Sequence, residues 1–178
     1  MLFPRFYFVS DDDLLEILGQ SKEPQMVQKH VKKCFEGIKT LILIPPGKQL
    51  NRTYEATGGN SPDGETMDFA ANVIVDGAVE LWLRDVENAM KVGLAKLLAG
   101  CIVAFKGKKK EVWVKEWQGS LLITTGAIAW TSDCTKALAS IASGNKSAMK
   151  ALKKKQVGYL NRLTELVRDP KLNAIDRS

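Results

Sequence analysis

The 178-residue sequence has one histidine, His30, and three cysteines, Cys34, Cys101 and Cys134. Three widely spaced thiols fit neither a disulfide framework nor the paired C-x-x-C of a structural zinc site, so they read as small buried apolar groups. A single histidine leaves one candidate base for a Ser, Thr or Cys nucleophile, which argues against nucleophilic catalysis. His30 lies four residues before Cys34 on one helical face, but a zinc site built on that pair would need Cys101 and Cys134 from other helices. A partly exposed helix histidine beside a core cysteine is the simpler expectation. The phosphate-loop pattern G-x-x-x-x-G-K-[ST] is also missing. Its only approximation, Gly144-Asn145-Lys146-Ser147, has Asn145 before the lysine and no upstream glycine, and reads as a helix stop followed by a helix start. No catalytic, cofactor-binding or metal-binding residue is assigned.

Long hydrophobic runs are absent too. The apolar-rich stretch 79–105 is interrupted by Arg84, Asp85, Glu87, Lys91 and Lys96, which predicts no transmembrane helix. Met1-Leu2-Phe3-Pro4-Arg5 lacks the pattern of a secretory leader, predicting a chain that stays in the reducing interior. No internal repeat of about 20 to 50 residues is visible. With 45% apolar and 26% charged residues, the composition is that of a globular protein with one core or two subdomains. Its charge is divided: residues 1–90 hold nine Lys/Arg against fourteen Asp/Glu, net −5, and residues 91–178 hold seventeen against six, net +11.

The periodicities predict an α+β fold, mostly α-helical, with a small antiparallel β-sheet inserted between N-terminal helices and long C-terminal ones. Residues 1–78 would supply helices and sheet, and 79–178 a helical bundle. Phe3 to Val9 is aromatic and β-prone, so it reads as extended. Ser10 caps a helix whose first turn, Asp11-Asp12-Asp13, complements the helix dipole; capping explains these acids better than a Mg²⁺ site does. Gly19 closes that helix. Pro24 opens the next, which buries Val27, Val31, Cys34 or Phe35, and Ile38. Leu41 to Ile44, Leu50 to Ala56 and Glu65 to Val75 are β-compatible, the last two separated by a turn over 58–64. From Val79 an apolar stripe through Trp82, Leu83, Val86, Met90, Leu94, Leu97 and Cys101 runs about six helical turns. On that reading Leu94→Ala should cost about 2 to 5 kcal/mol and Lys91→Ala less than about 0.5. A short helix over 112–117 leads to one over 121–141, stopped at Gly144-Asn145. A last helix buries Met149, Leu152, Gln156, Leu160, Leu163 and Val167 and ends at Asp169-Pro170.

The basic half raises a nucleic-acid alternative: Lys106, Lys108, Lys109, Lys110, Lys115, Lys146, Lys150, Lys153, Lys154 and Lys155, with Trp113 and Trp117 for stacking. Lysines at 146, 150, 153 and 154 also fall where any soluble helix places its solvated face, and an acidic protein surface suits them better than nucleic acid. Trp82, Trp113, Trp117 and Trp130 lie on apolar stripes and are expected in the core rather than around a ligand.

The order of motifs is more specific than any one of them. Phe3-Pro4-Arg5-Phe6-Tyr7-Phe8-Val9-Ser10-Asp11-Asp12-Asp13-Leu14-Leu15-Glu16-Ile17-Leu18-Gly19 resembles the signature of the linker region of dynein heavy chains. Val27 to Glu36, Ser61 to Glu65, Val79 to Leu83 with Val86 to Met90, Trp113 to Trp117, Ile128 to Asp133, and Lys153 to Val157 with Leu160-Asn161 follow in the same order. The segments 113–117 and 153–160 look most like axonemal heavy chains of the inner arm. The resemblance covers nearly the whole chain, departing at Gly58-Gly59-Asn60 and Asp169-Pro170.

That resemblance implies the C-terminal part of the linker, a helical arm that precedes the first ATPase module and lies across a ring of AAA+ modules. ATP turnover in the ring bends and straightens this arm, and the straightening moves cargo or a neighbouring doublet. The implied chain is a non-catalytic mechanical segment without a nucleotide site, cofactor or microtubule-binding stalk. Its implied partners are the AAA+ ring of the same heavy chain and, through the whole motor, other dynein subunits and microtubules, with no membrane; a basic helical nucleic-acid-binding module is the alternative reading. The implied place is the cytoplasm and cytoskeleton, in the axoneme of a cilium or flagellum.

Overall fold

A computed structural model describes residues 3–47 and 53–168. A 3-10 turn, Pro4–Phe8, is followed by α1 Asp11–Gly19, α2 Pro24–Cys34, β1 Thr40–Ile44, β2 Tyr54–Asn60 and β3 Thr66–Val75. Next come α3 Val79–Gly107, α4 Lys110–Trp113, α5 Gly119–Ala142 and α6 Ala148–Val167. The fold is α+β and mostly helical, with one antiparallel sheet in the order β1-β2-β3. The chain forms two compact units, Met1–Lys96 and Leu97–Ser178, whose boundary falls inside α3.

In the first unit, the expected extended entry is instead the 3-10 turn. Pro4 presets a helical φ at its start, and Phe3, Phe6 and Val9 are buried at a spacing of three while Tyr7 and Phe8 point outward. The Phe3 and Phe6 rings meet edge to face, with centroids 5.0 Å apart. Ser10 caps α1, its Oγ accepting from the Asp13 N–H at 3.4 Å. In α2, Val27, Val31 and Cys34 face the core together with His30. Burial pushes the Cys34 thiol up to about 11, in keeping with an inert core cysteine. Gln28 continues the hydrogen bonding of the sheet sideways from α2: its Nε2 donates to the Leu41 carbonyl at 2.7 Å, and its Oε1 accepts from the Leu41 N–H at 2.8 Å. An edge strand that would otherwise expose these groups is thereby occupied at Leu41.

Gly58, Gly59 and Asn60 lie in β2 and not in the expected turn, which is shorter and centred on Ser61 to Glu65. A Cβ at Gly58 would collide with the Met67 carbonyl oxygen, and one at Gly59 would press on Ile38 Cδ1 at 3.1 Å. The two glycines therefore serve close strand and side-chain packing. The turn itself is held by Ser61 Oγ, which accepts from the N–H groups of Asp63 and Glu65, and Gly64 takes φ +91°. Of the segment expected to be extended over 50–56, residues 50–52 lie outside the described residues, and β2 begins at Tyr54.

The first turns of α3 bury Val79, Trp82, Leu83 and Val86 in the same cluster as Phe35, Ala56, Val73 and Val75. Gly93, itself buried, lets the α3 backbone lie on β3: a Cβ there would stand 3.3 Å from the Asp68 carbonyl oxygen. The apolar stripe is not buried throughout. Leu94 is 39% exposed, because core packing covers the stripe at Val79–Val86 and again at Cys101 but not at Leu94. By length and composition α3 is also long and apolar enough to cross a membrane, which corrects the exclusion made from interrupted runs. Its N-terminal turns are instead part of a packed core.

The second unit has a small core of Cys101, Trp113 and Leu121, joined by half-buried Leu97, Leu98, Phe105, Trp117 and Leu122. Trp113 Nε1 donates to the Cys101 carbonyl at 3.2 Å. Gly100 makes room for Trp117, whose ring edge would lie 3.0 Å from a Cβ. The helix expected over 112–117 is the shorter α4, followed by turns. α5 ends before Gly144, which at φ +105° lets the Asn145 N–H reach the Ser140 carbonyl. Of the α6 residues expected inside, Leu152 is buried and Gln156 and Leu163 are half-buried, whereas Met149, Leu160 and Val167 are exposed. α6 packs along α5 and α4, a contact narrower than its apolar stripe. Its expected end at Asp169-Pro170 lies outside the described residues.

The two environments on α3 separate in a stability measurement. Leu83→Ala should cost about 2 to 5 kcal/mol in urea unfolding, and Leu94→Ala about 1 kcal/mol or less. Equal losses would contradict the burial pattern.

Candidate functional site

Two groups of polar side chains stand out, one in each unit. In the first, Asp13 and Glu16 stand one turn apart on α1 and face His30 of α2, which is only 5% exposed. His30 Nδ1 lies 3.5 Å from Asp13 Oδ1, and Nε2 lies 3.4 Å from Glu16 Oε2. These contacts are not hydrogen bonds, since neither buried nitrogen has a hydrogen-bond partner. Candidate ligand atoms of the three residues lie within 4.8 Å of one another, a spacing that could surround a cation. Asp13 is already engaged, however: Lys33 Nζ binds its two oxygens at 2.7 and 2.6 Å, and Ser10 Oγ donates to it at 2.6 Å. The Lys33–Asp13 ion pair and the two carboxylates facing His30 make the cluster a clasp between α1 and α2. The expectation of a partly exposed His30 is thus corrected; the acids one helix earlier in the chain draw it inward.

Of the hypothetical zinc set, His30 and Cys34 belong to the first unit and Cys101 and Cys134 to the second. Asp13 serves in the cap and the clasp, while Asp11 and Asp12 are exposed on the first turn of α1. Gly144 to Ser147 is the α5–α6 connection.

In the second unit, the end of α3, α4, α5 and α6 enclose a cleft of about 580 Å³. Phe105, Trp113, Trp130 and Tyr159 supply aromatic walls, and Leu122, Ile123 and Leu163 aliphatic ones. Lys110 Nζ sits 3.1 Å above the centre of the Phe105 ring and also donates to the Phe105 carbonyl, near the end of α3. Burial, and next the nearby Lys155 charge, lower the Lys110 pKa against the opposing pull of Glu111. Lys155 donates to Asp133 at 2.9 Å, and this bond raises its own pKa. Beside the cleft a second hollow is lined by Lys106, Lys108, Lys109, Glu111 and Arg162.

Of the four tryptophans expected in the core, Trp82 and Trp113 are buried and Trp117 half-buried, but Trp130 is 48% exposed on the cleft wall. The basic residues do not form one continuous patch with the stacking tryptophans: Trp113 is buried, and Lys146, Lys150, Lys153 and Lys154 are exposed around the start of α6. The cleft was missed in the sequence, although Lys155, Tyr159 and Arg162 at steps of four and three mark one face of α6.

The sequence is that of a segment of a motor-protein heavy chain. A family described as dynein heavy chain, N-terminal region 2, matches residues 1–101, and the chain belongs to the dynein heavy chain family. It is 52% identical over 176 residues to the Dynein-1-beta heavy chain, flagellar inner arm I1 complex, of Chlamydomonas reinhardtii, covering 99% of this chain and 4% of that one. It is 47% identical over 170 residues to human Dynein axonemal heavy chain 2, covering 94% and 4%. Human Dynein axonemal heavy chain 12 is 34% identical over 171 residues, covering 94% and 5%. The chain thus spans about a twentieth of the length of these relatives.

The α1–α2 clasp carries a pH dependence. Hydrogen bonds from Lys33, then Ser10, hold the Asp13 carboxyl below its ordinary value of 3.8; Lys91 and then Arg5 do the same for Glu87, ordinarily 4.5. Carboxyls lowered in the folded state stabilise it above their unfolded values, and this contribution is lost as pH falls through the folded ones. Urea midpoints should therefore drop on acidification below about pH 4, and Lys33→Ala should shrink the drop. An unchanged acid limb in Lys33→Ala would show that the pair is unimportant.

Proposed function

We propose that this chain is the C-terminal part of the linker of an axonemal dynein heavy chain, a non-catalytic arm that relays ATP-driven changes of the AAA+ ring into movement along microtubules. The observation that carries the reading is the match at 52% identity over 99% of the chain to an inner-arm heavy chain, together with the unbroken order of linker-like motifs. Its partners are then the AAA+ ring of the same heavy chain and, through the whole motor, other dynein subunits and microtubules. Its place is the axoneme of a cilium or flagellum.

The physical features support an arm. α3 is 29 residues long, roughly 44 Å at a rise of about 1.5 Å per residue, and it is anchored by Val79, Trp82, Leu83 and Val86 in a dense core. A close-packed interior resists compression and so passes force on with little loss. No G-x-x-x-x-G-K-[ST] loop occurs in the sequence, so nucleotide chemistry is assigned to other parts of the heavy chain.

The test breaks the helix within an intact heavy chain. Ala95→Pro removes a backbone donor in α3 and costs about 3 kcal/mol locally. Microtubule gliding should slow by roughly tenfold or more while ATP turnover stays within about twofold. Loss of ATP turnover in step with gliding, or no effect on either, would overturn the relay role.

A further inference from the structure

The cleft of the second unit is a site that the linker reading leaves unused. It joins a concave apolar wall to a cationic mouth, and the balance of charge around it is one-sided. Lys106, Lys108, Lys109, Lys110, Lys155 and Arg162 stand around the cleft and its neighbouring hollow. Three acids are paired with them: Glu116 with Lys108, Asp133 with Lys155 at 2.9 Å, and Glu111 with Arg162 at 3.3 Å. Lys106, Lys109 and Lys110 remain as an excess of three positive charges at one edge. On the wall, Trp130 is 48% and Ile123 76% exposed, large apolar surfaces that are costly to leave in water.

We propose that this cleft docks an acidic peptide segment of another polypeptide. One bulky apolar side chain of the segment seats against Trp130 and Tyr159, and flanking Asp or Glu side chains pair with Lys106 and Lys109. The volume favours such a ligand over nucleic acid. About 580 Å³ in one compact hollow holds one or two side chains, and aliphatic Leu122, Ile123 and Leu163 offer hydrocarbon where a run of bases needs successive stacking faces. The site rests on the geometry of the second unit and not on the motor role.

The test uses fluorescence anisotropy of a labelled peptide of about 12 residues, rich in Asp and Glu around a central Leu-Phe pair, titrated with the 178-residue chain. Binding should saturate at about 50 mM salt and weaken about fivefold or more at about 200 mM. Replacing Leu-Phe by Gly-Gly should weaken it about tenfold, as should Trp130→Ala, and as should Lys106→Glu combined with Lys109→Glu. These side chains are exposed, and circular dichroism should show the fold retained. Absence of saturable binding would overturn the proposal. So would affinity indifferent to both Trp130→Ala and the loss of Leu-Phe, which marks non-specific charge attraction, or tighter binding of an oligothymidine of about 12 nucleotides, which marks a nucleic-acid face.

Discussion

The first unit depends on the burial of Val79, Trp82, Leu83 and Val86 against residues from far earlier in the chain. A three-stranded sheet cannot hold itself together in water; it needs an apolar layer on at least one face. The first turns of α3 join that layer, α2 contributes Val27 and Val31, and the entry turn brings Phe3 and Phe6. Arg5 adds a polar tie at the same place, lying 5.2 Å from the centre of the Phe35 ring and 3.4 Å from Glu87. Each of these contacts spans much of the unit's sequence, so none forms until the chain has folded back on itself.

The second unit is built on less. Its buried apolar cluster is Cys101, Trp113 and Leu121, with α5 and α6 paired alongside and several of their large apolar side chains exposed. Where so little is enclosed, single polar ties matter more: the Trp113–Cys101 hydrogen bond and the Lys110 cation over Phe105 secure α4 to the end of α3. The same looseness leaves an aromatic cleft open to solvent. Structure and opportunity for binding therefore have a common origin in a thin core.

Helix ends and turns were legible because their signals are local. Ser10 before three acids, Pro24 in a first turn and Gly144 after α5 act on residues within one turn of themselves, and each sits where its chemistry predicts. The α1–α2 clasp was not legible. Nothing in the spacing of Asp13, Glu16 and His30 says that two successive helices will meet face to face, and the same holds for the cleft of Trp130 and Tyr159. Glycines 58 and 59 were misread for a related reason: a glycine wanted for close strand packing looks, in one dimension, like a glycine wanted for a turn.

Pattern and composition by themselves determined the α+β class, the sequence of elements, the divided charge and, through the order of motifs, the dynein heavy chain family. Tertiary structure alone decided which parts of each apolar stripe are covered: Leu83 and Leu94 sit on one helix with similar side chains, yet one is sealed and the other is in water. It also decided that a lone histidine lies between two carboxylates. Periodicity reports which face of a helix is apolar, and only the arrival of a neighbouring element determines where along that face water is excluded.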